Sequence, residues 1–301
     1  MTQPRVFAPH GEGDANPSNP SAVASLVRRS PWADLTPRVA SALVMIAFAV
    51  AALVVGGRFF AVFWFGASLA VHWEWQRMVG GPRQLLRFFI GAATLAAAAW
   101  LTLAASLDLV GSVLVVAAAV LAWAAGPGER LWAAAGIFYA AALVVSVCLL
   151  RYSAFDGFEA VLWLFAVVWG ADVMAYFGGR VIGGPKLVPR ISPAKTWAGL
   201  VSGIICGALI GLVVLAPFAE IAIVPLGLLG LAVAGVAQAG DLLESAVKRH
   251  FGVKDTSHLI PGHGGVMDRL DGFLAGASFA ALFGLLRAGS AAAAAHGLFY
   301  W

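Results

Sequence analysis

Charge is what this chain has least of. Only 11% of its 301 residues are Asp, Glu, Lys or Arg, while 61% are hydrophobic and the mean hydropathy is +0.89. Ordinary soluble domains are about 45–50% apolar, so that class is excluded. Cysteine is nearly missing as well. Cys148 and Cys206 both fall inside apolar runs, which leaves no basis for a disulfide framework or a cysteine zinc site. Absent too are a G-x-x-x-x-G-K-[ST] phosphate loop, any RNA- or DNA-binding module, and any repeat of about 20–50 residues. The formal net charge of +4 therefore reads as membrane topology and attraction to anionic lipids, with no nucleic-acid partner.

Long apolar runs take the place of charge. A bilayer span needs about 17–25 predominantly apolar residues. Nine candidates occur, at roughly 39–57, 59–75, 88–106, 109–126, 131–150, 159–177, 199–218, 221–240 and 271–288. Only Gly56, Gly57 and Arg58 separate the first two, so eight or nine spans are expected. The fold class is all-α, a polytopic integral membrane protein with about nine transmembrane helices. With nine spans and a cytoplasmic N-terminus, 16 of the 19 Lys and Arg residues fall on the cytoplasmic side; Arg58, Arg151 and Arg287 do not. That asymmetry follows the positive-inside rule and puts loops 178–198 and 241–270 on one cytoplasmic face.

The organisation expected is a disordered cytoplasmic arm at 1–38, a transmembrane scaffold of about five helices at 39–158, a catalytic transmembrane part at 159–290 and a low-complexity tail at 291–301. No cleaved signal peptide is expected, since 38 residues precede the first apolar run. His72 and Glu74 read as a charged helix end at the membrane interface, and Gly203, Gly207 and Gly211 as a stripe allowing close helix approach.

The few charges are concentrated. Nine of the 31 positions from Asp241 to Asp271 carry one, and three of the six histidines (His250, His258 and His263) lie there too. Charge at a bilayer costs energy unless solvated, paired or metal-bound, so such an island marks chemistry. Asp241, Glu244, Ser245 and Lys248 share one helical face at i, i+3, i+4 and i+7. Pro261-Gly-His263-Gly264-Gly265 forms a loop whose backbone can approach a ligand, and Asp268 and Asp271 follow at i, i+3. Two carboxylate pairs on neighbouring helix ends suit Mg²⁺; the alternative is charge pairing with Lys248 or Arg269 at a helix cap. Asp172 lies midway along the sixth run, with Tyr176 and Arg180 on its face. Upstream of the seventh run, Gly178, Gly179, Gly183 and Gly184 give a flexible backbone, and Ser192, Lys195 and Thr196 precede a helix start suited to phosphate.

These residues carry a resemblance. Ser245-Ala-Val-Lys-Arg249, Lys254-Asp255-x-Ser257 and Ile260-Pro261-Gly-His263-Gly-Gly265-Val-x-Asp268-Arg269-Leu-Asp271 together resemble the motif of the phosphatidate cytidylyltransferase (CDP-diacylglycerol synthase) family. Gly240-Asp241-Leu-x-Glu244-Ser245, Ser192-Pro-x-Lys195-Thr196 and Asp172-x-x-Ala-Tyr176 resemble the same family, and the likeness covers about 160–290. It implies a membrane nucleotidyltransferase joining CTP to phosphatidate, releasing pyrophosphate and requiring Mg²⁺. By that resemblance Asp241 and Asp268 are metal ligands, with Asp271 and Asp172 nearby. Ser192, Lys195 and Thr196 hold phosphate, and Lys248, Arg249 and His263 line the nucleotide site. Lys195 and Lys248 stabilise charge at the reacting phosphorus, and Ser245, Gly264, Gly265 and Arg269 complete the substrate-binding set. The implied setting is a bacterial-type plasma membrane with the site facing the cytoplasm. Ala198 departs from the family, which usually has Glu after the Trp of this loop. A second cation besides Mg²⁺, a homodimeric assembly and another lipid phosphate as acceptor stay open. A transporter predicts charge spread through several spans at mid-depth, whereas only Asp172 is deep here. A CDP-alcohol phosphotransferase needs D-G-x-x-A-R with G-x-x-x-D-x-x-x-D, which is missing.

Overall fold

A computed structural model describes residues 35–218, 222–260 and 264–301, with side chains from Ser41 onward. The expected arm before residue 35 and His263 lie outside the described residues. The rest is a helical bundle: α1 (Leu35–Val55), α2 (Gly57–Val79), α3 (Gln84–Leu103), α4 (Leu107–Ala124), α5 (Arg130–Arg151), α6 (Gly157–Val181), α7 (Trp197–Leu215), α8 (Ile223–His250), α9 (Met267–Ala288) and the short α10 (His296–Phe299). Where lipid replaces water, backbone N–H and C=O groups must be satisfied within the segment, and a helix does so. Seven helices among the described residues, α3 to α9, are long and apolar enough to cross a membrane. Helix α1 is apolar over Ser41–Val55, and α2 is diluted by His72, Glu74, Gln76 and Arg77 near its end. Outward-facing Leu85, Trp100, Trp123, Val213 and Leu286 are all more than two-thirds exposed, as lipid-facing side chains are.

Helix α5 is the axis. It is the most enclosed of the seven, packing against α2, α3, α4 and α9. Trp64 of α2 stacks on Phe273 of α9 at 5.1 Å, with Phe165 of α6 beside both, so one aromatic cluster ties early helices to late ones. The tightest pair is α6 with α7, where the glycine stripe acts as expected and begins one turn earlier. A Cβ on Gly199, Gly203 or Gly207 would lie 2.7 Å from the carbonyl of Ala175, Ala171 or Val167 respectively. Small residues let these backbones approach, which brings Asp172 of α6 beside the start of α7. Gly240 against Ala275, and Gly272 against the Ala237 carbonyl, do the same for α8 and α9.

One expectation needs correction. The 178–198 segment is not an open loop: Gly178 and Gly179 sit inside α6 against Ser202 and Thr196, because their missing side chains are what lets α7 pack there. Only Gly183 and Gly184 turn the chain, with φ of +69° and +94°. A small antiparallel hairpin follows, β1 (Lys186–Val188) with β2 (Ser192–Thr196), pairing Lys186 with Thr196 and Val188 with Ser192. The Ala-rich tail also folds, since Ala294, Ala295, Leu298 and Phe299 are buried and His296 pairs with Asp156 at 2.9 Å. Its small residues fit against Gly284 of α9.

Candidate active site

At about 1.5 Å per residue, the 28 residues of α8 exceed a hydrocarbon core of about 30 Å, so its polar last turns project beyond one. They meet the hairpin, the end of α6 and the start of α9 around a cavity of about 710 Å³. Its walls carry five carboxylates (Asp172, Asp241, Asp255, Asp268 and Asp271) and four cations (Arg180, Lys195, Lys248 and Arg269). The face shared by Asp172, Tyr176 and Arg180 points into it, and Arg180 donates to the Tyr176 hydroxyl at 2.8 Å.

Two lysine–aspartate pairs organise the cavity. Lys195, at the end of β2, reaches Asp241 of α8 at 2.7 Å. Lys248, one helical turn from Glu244, sits between Glu244 at 2.7 Å and Asp268 at 2.8 Å. The Glu244 and Asp268 side chains are 0% and 4% exposed, so Lys248 is the buried counter-charge of both. Gln238 joins the first pair to Asp172: its amide donates to Asp172 Oδ1 at 2.8 Å, and its carbonyl accepts from Lys195 at 3.2 Å. Sequence reasoning passed over Gln238. The available signal was an amide inside an apolar run, three residues before Asp241 and on its face.

Asp268 does more than face the cavity. As the second residue of α9 it accepts from Gly265 N at 2.8 Å and Thr256 N at 3.1 Å, tying down the preceding loop. Glu74 grips that loop from the other side. It was expected as a charged helix end at the interface; instead it is fully buried, because α2 runs on to Val79 and the loop covers it. Its Oε1 accepts from Ser257 Oγ at 2.6 Å and Val266 N at 2.9 Å; its Oε2 accepts from Thr256 Oγ1 at 3.1 Å and Met267 N at 2.7 Å. Gly265 is the price of this approach, since a Cβ there would lie 2.7 and 2.8 Å from the two carboxylate oxygens. His72, expected at the same interface, is likewise fully buried, its ring against the Arg87 carbonyl at 3.3 Å.

The expected site residues thus divide. Asp172, Lys195, Thr196, Asp241, Lys248, Asp268, Arg269 and Asp271 come together on the cavity wall. Thr196 also caps α7, accepting from Gly199 N at 3.1 Å. Ser245 stands behind the wall, donating to Asp241 at 3.3 Å. Gly264, at φ +84°, and Gly265 shape the loop, and their close approaches are to Asp268 and Glu74. Ser192 opens β2 away from the cavity wall, and Arg249 is directed elsewhere, to the carbonyls of Ile191 at 3.4 Å and Val253 at 3.2 Å.

Does this donor set suit a hard divalent cation? Asp172, Asp241 and Asp271 face one cavity closely enough to repel one another electrostatically. Asp241 is 32% exposed, and no three His, Cys, Asp or Glu residues form a ready-made metal cage among the described residues. Mg²⁺ usually takes one or two carboxylates and completes its shell with phosphate oxygens and water. Crowded carboxylates without a cage fit that pattern. Asp268, by contrast, has both oxygens engaged by protein donors, so the cap reading describes it as it stands.

Fold and site together define a helical membrane protein with a charge-lined cavity at one end of its bundle. The model of the cytidylyltransferase family matches residues 36–286. A phosphatidate cytidylyltransferase of Brucella abortus is 40% identical over 259 residues, covering 84% of this chain and 94% of that protein. One from Haemophilus influenzae is 32% identical over 288 residues, covering 83% and 98%. One from Staphylococcus saprophyticus is 45% identical over 121 residues, covering 40% and 46%. The chain belongs to the cytidylyltransferase family.

Proposed function

We propose that this protein is a Mg²⁺-dependent phosphatidate cytidylyltransferase of the plasma membrane, working at the cytoplasmic face. The observation that carries the reading is the pairing of Lys195 with Asp241 and of Lys248 with Asp268 around one cavity. A phosphate oxygen of the lipid attacks the α-phosphorus of CTP, a new P–O–P bond forms, and the α–β bond breaks to release pyrophosphate. The nucleophile is already an anion, so no strong base is required. Bringing two polyanions together is the difficulty, and positioned cations overcome it.

Lys195 and Lys248 rest on carboxylates and exchange these for phosphate oxygens when the triphosphate enters, so each stabilises equatorial charge where it develops. Gln238 steers Lys195, and Glu244 keeps Lys248 from leaving the wall. Asp241, with Asp271 and Asp172 beside it, would hold Mg²⁺, and Asp268, now paired with Lys248, is the further carboxylate within reach of that site. When bound there, the cation would supply charge neutralisation for the triphosphate and the leaving pyrophosphate. Placing the cavity at the end of the spans lets CTP arrive from water while acyl chains stay in lipid.

The test is cytidylyl transfer from labelled CTP by purified protein with Mg²⁺, comparing phosphatidate, its ether-linked analogue and other lipid phosphates. Transfer to phosphatidate is expected to be fastest. Asp241→Asn and Asp268→Asn are each expected to lower turnover by about 100-fold or more, the scale of losing an electrostatic catalytic contact. Near wild-type turnover in either would remove that residue from the metal site.

A further inference from the structure

The half of the chain expected to be scaffold contributes one carboxylate that no lipid-facing or packing role explains. We infer that Glu74 is a positioning residue for the transfer reaction, setting through four hydrogen bonds the loop that leads into α9 and the first turn that carries Asp268 and Asp271. The inference rests on the reading of the cavity as a cytidylyl-transfer site.

The geometry is specific to a carboxylate. Each oxygen of Glu74 takes one hydroxyl and one backbone N–H: Ser257 Oγ with Val266 N, and Thr256 Oγ1 with Met267 N. Val266 and Met267 open α9, where unpaired N–H groups and the dipole favour a negative charge. One carboxylate therefore anchors both ends of the loop, residues 256–257 and residues 266–267. The next residue, Asp268, bonds the backbone N–H of Thr256 and Gly265 from the cavity side. Glu74 and Asp268 grip the same loop from opposite faces. If Glu74 lets go, Asp268 loses the frame that aims it at Lys248, and Asp271 moves with the first turn of α9.

An amide cannot replace the carboxylate. In Glu74→Gln the NH₂ group takes the place of one oxygen, and either orientation sets it against a backbone N–H, of Val266 or of Met267. The hydroxyls can rotate to accept, but the N–H groups cannot. The loop must then shift, and a misplacement of about 1 Å costs about 100-fold in rate. Glu74 is not among the residues lining the cavity, so the substitution itself removes no group that faces substrate.

The experiment measures kcat per nucleotide-binding site, counted by equilibrium binding of a non-reacting CTP analogue. Amide hydrogen exchange is followed alongside, in wild type, Glu74→Gln and the milder Thr256→Val/Ser257→Ala pair. Glu74→Gln is expected to lose about 10- to 100-fold in kcat per site, with KM for CTP within about threefold and faster exchange confined to 256–268. Should that variant not fold, the double variant, which retains both N–H contacts, is expected to lose several-fold in kcat with the same local exchange. Wild-type kcat per site overturns the inference, as does exchange rising equally through α5 and α6. Absence of cytidylyl transfer in the wild type would instead defeat the reading of the cavity.

Discussion

Replacing Gln238 with leucine isolates the part of the site with no charge of its own. Leucine keeps the approximate volume and removes both hydrogen bonds, the 2.8 Å donation to Asp172 and the 3.2 Å acceptance from Lys195. Gln238 is only 3% exposed, so water cannot readily substitute. Hydrogen bonds to charged groups contribute about 1.5–3 kcal/mol each. Lys195 retains Asp241 at 2.7 Å, so its share is lost only in part, and about 2–4 kcal/mol is the expected total. The fraction that reaches the rate is the freedom gained by Lys195, now held by Asp241 and, at 3.5 Å, the main-chain carbonyl of residue 238, without the side-chain amide. At about 1.4 kcal/mol per tenfold, kcat should drop by about one to two powers of ten. The assay is the initial rate of transfer from labelled CTP at saturating phosphatidate, on detergent-solubilised protein of unchanged elution volume. A kcat within about threefold of wild type would refute the idea that Gln238 steers Lys195.

Lys248→Met should lower stability as well as turnover. It leaves the enclosed carboxylates of Glu244 and Asp268 without their shared cation, and breaking a buried pair costs about 3–5 kcal/mol; thermal unfolding in detergent reads this, and added salt should not restore it. Gly207→Ala pushes a methyl group to 2.7 Å from the Val167 carbonyl, so the α6–α7 seam should open at a cost of about 1–3 kcal/mol, seen as a lower melting temperature.

The helices were legible in the sequence because each apolar run is a continuous local signal, and a backbone in lipid has few alternatives to a helix. The α8 face and the Asp172-Tyr176-Arg180 face were legible for a related reason: helical spacing converts directly into shared direction. Other features depend on distant partners. Glu74 reads as an ordinary helix-end charge until Thr256, 182 positions later, is seen folded over it. Gly265 looked like room for a ligand, and only the fold reveals that the space is taken by the protein's own carboxylate. The hairpin of 186–196 was hidden by Pro189 and Pro193 and by the glycines just before it, which read as loop when strand pairing is unknown. The pairing of Lys195 with Asp241 was likewise invisible, since it forms only after α7 and α8 have packed, whereas that of Lys248 with Asp268 was one of the two readings the spacing offered.

The place of Glu74 in the chain also bears on how such a protein could be divided. A fragment covering 159–290 would carry the aspartates, lysines and loop of the cavity. It would keep the Asp268 side of the grip on that loop but lack Glu74 on the other, and would present the N–H groups of Val266 and Met267 with nothing to bind. A gene split near the α5–α6 turn would therefore yield two inert products that regain activity only when made together, with α2 delivered as a subunit in trans.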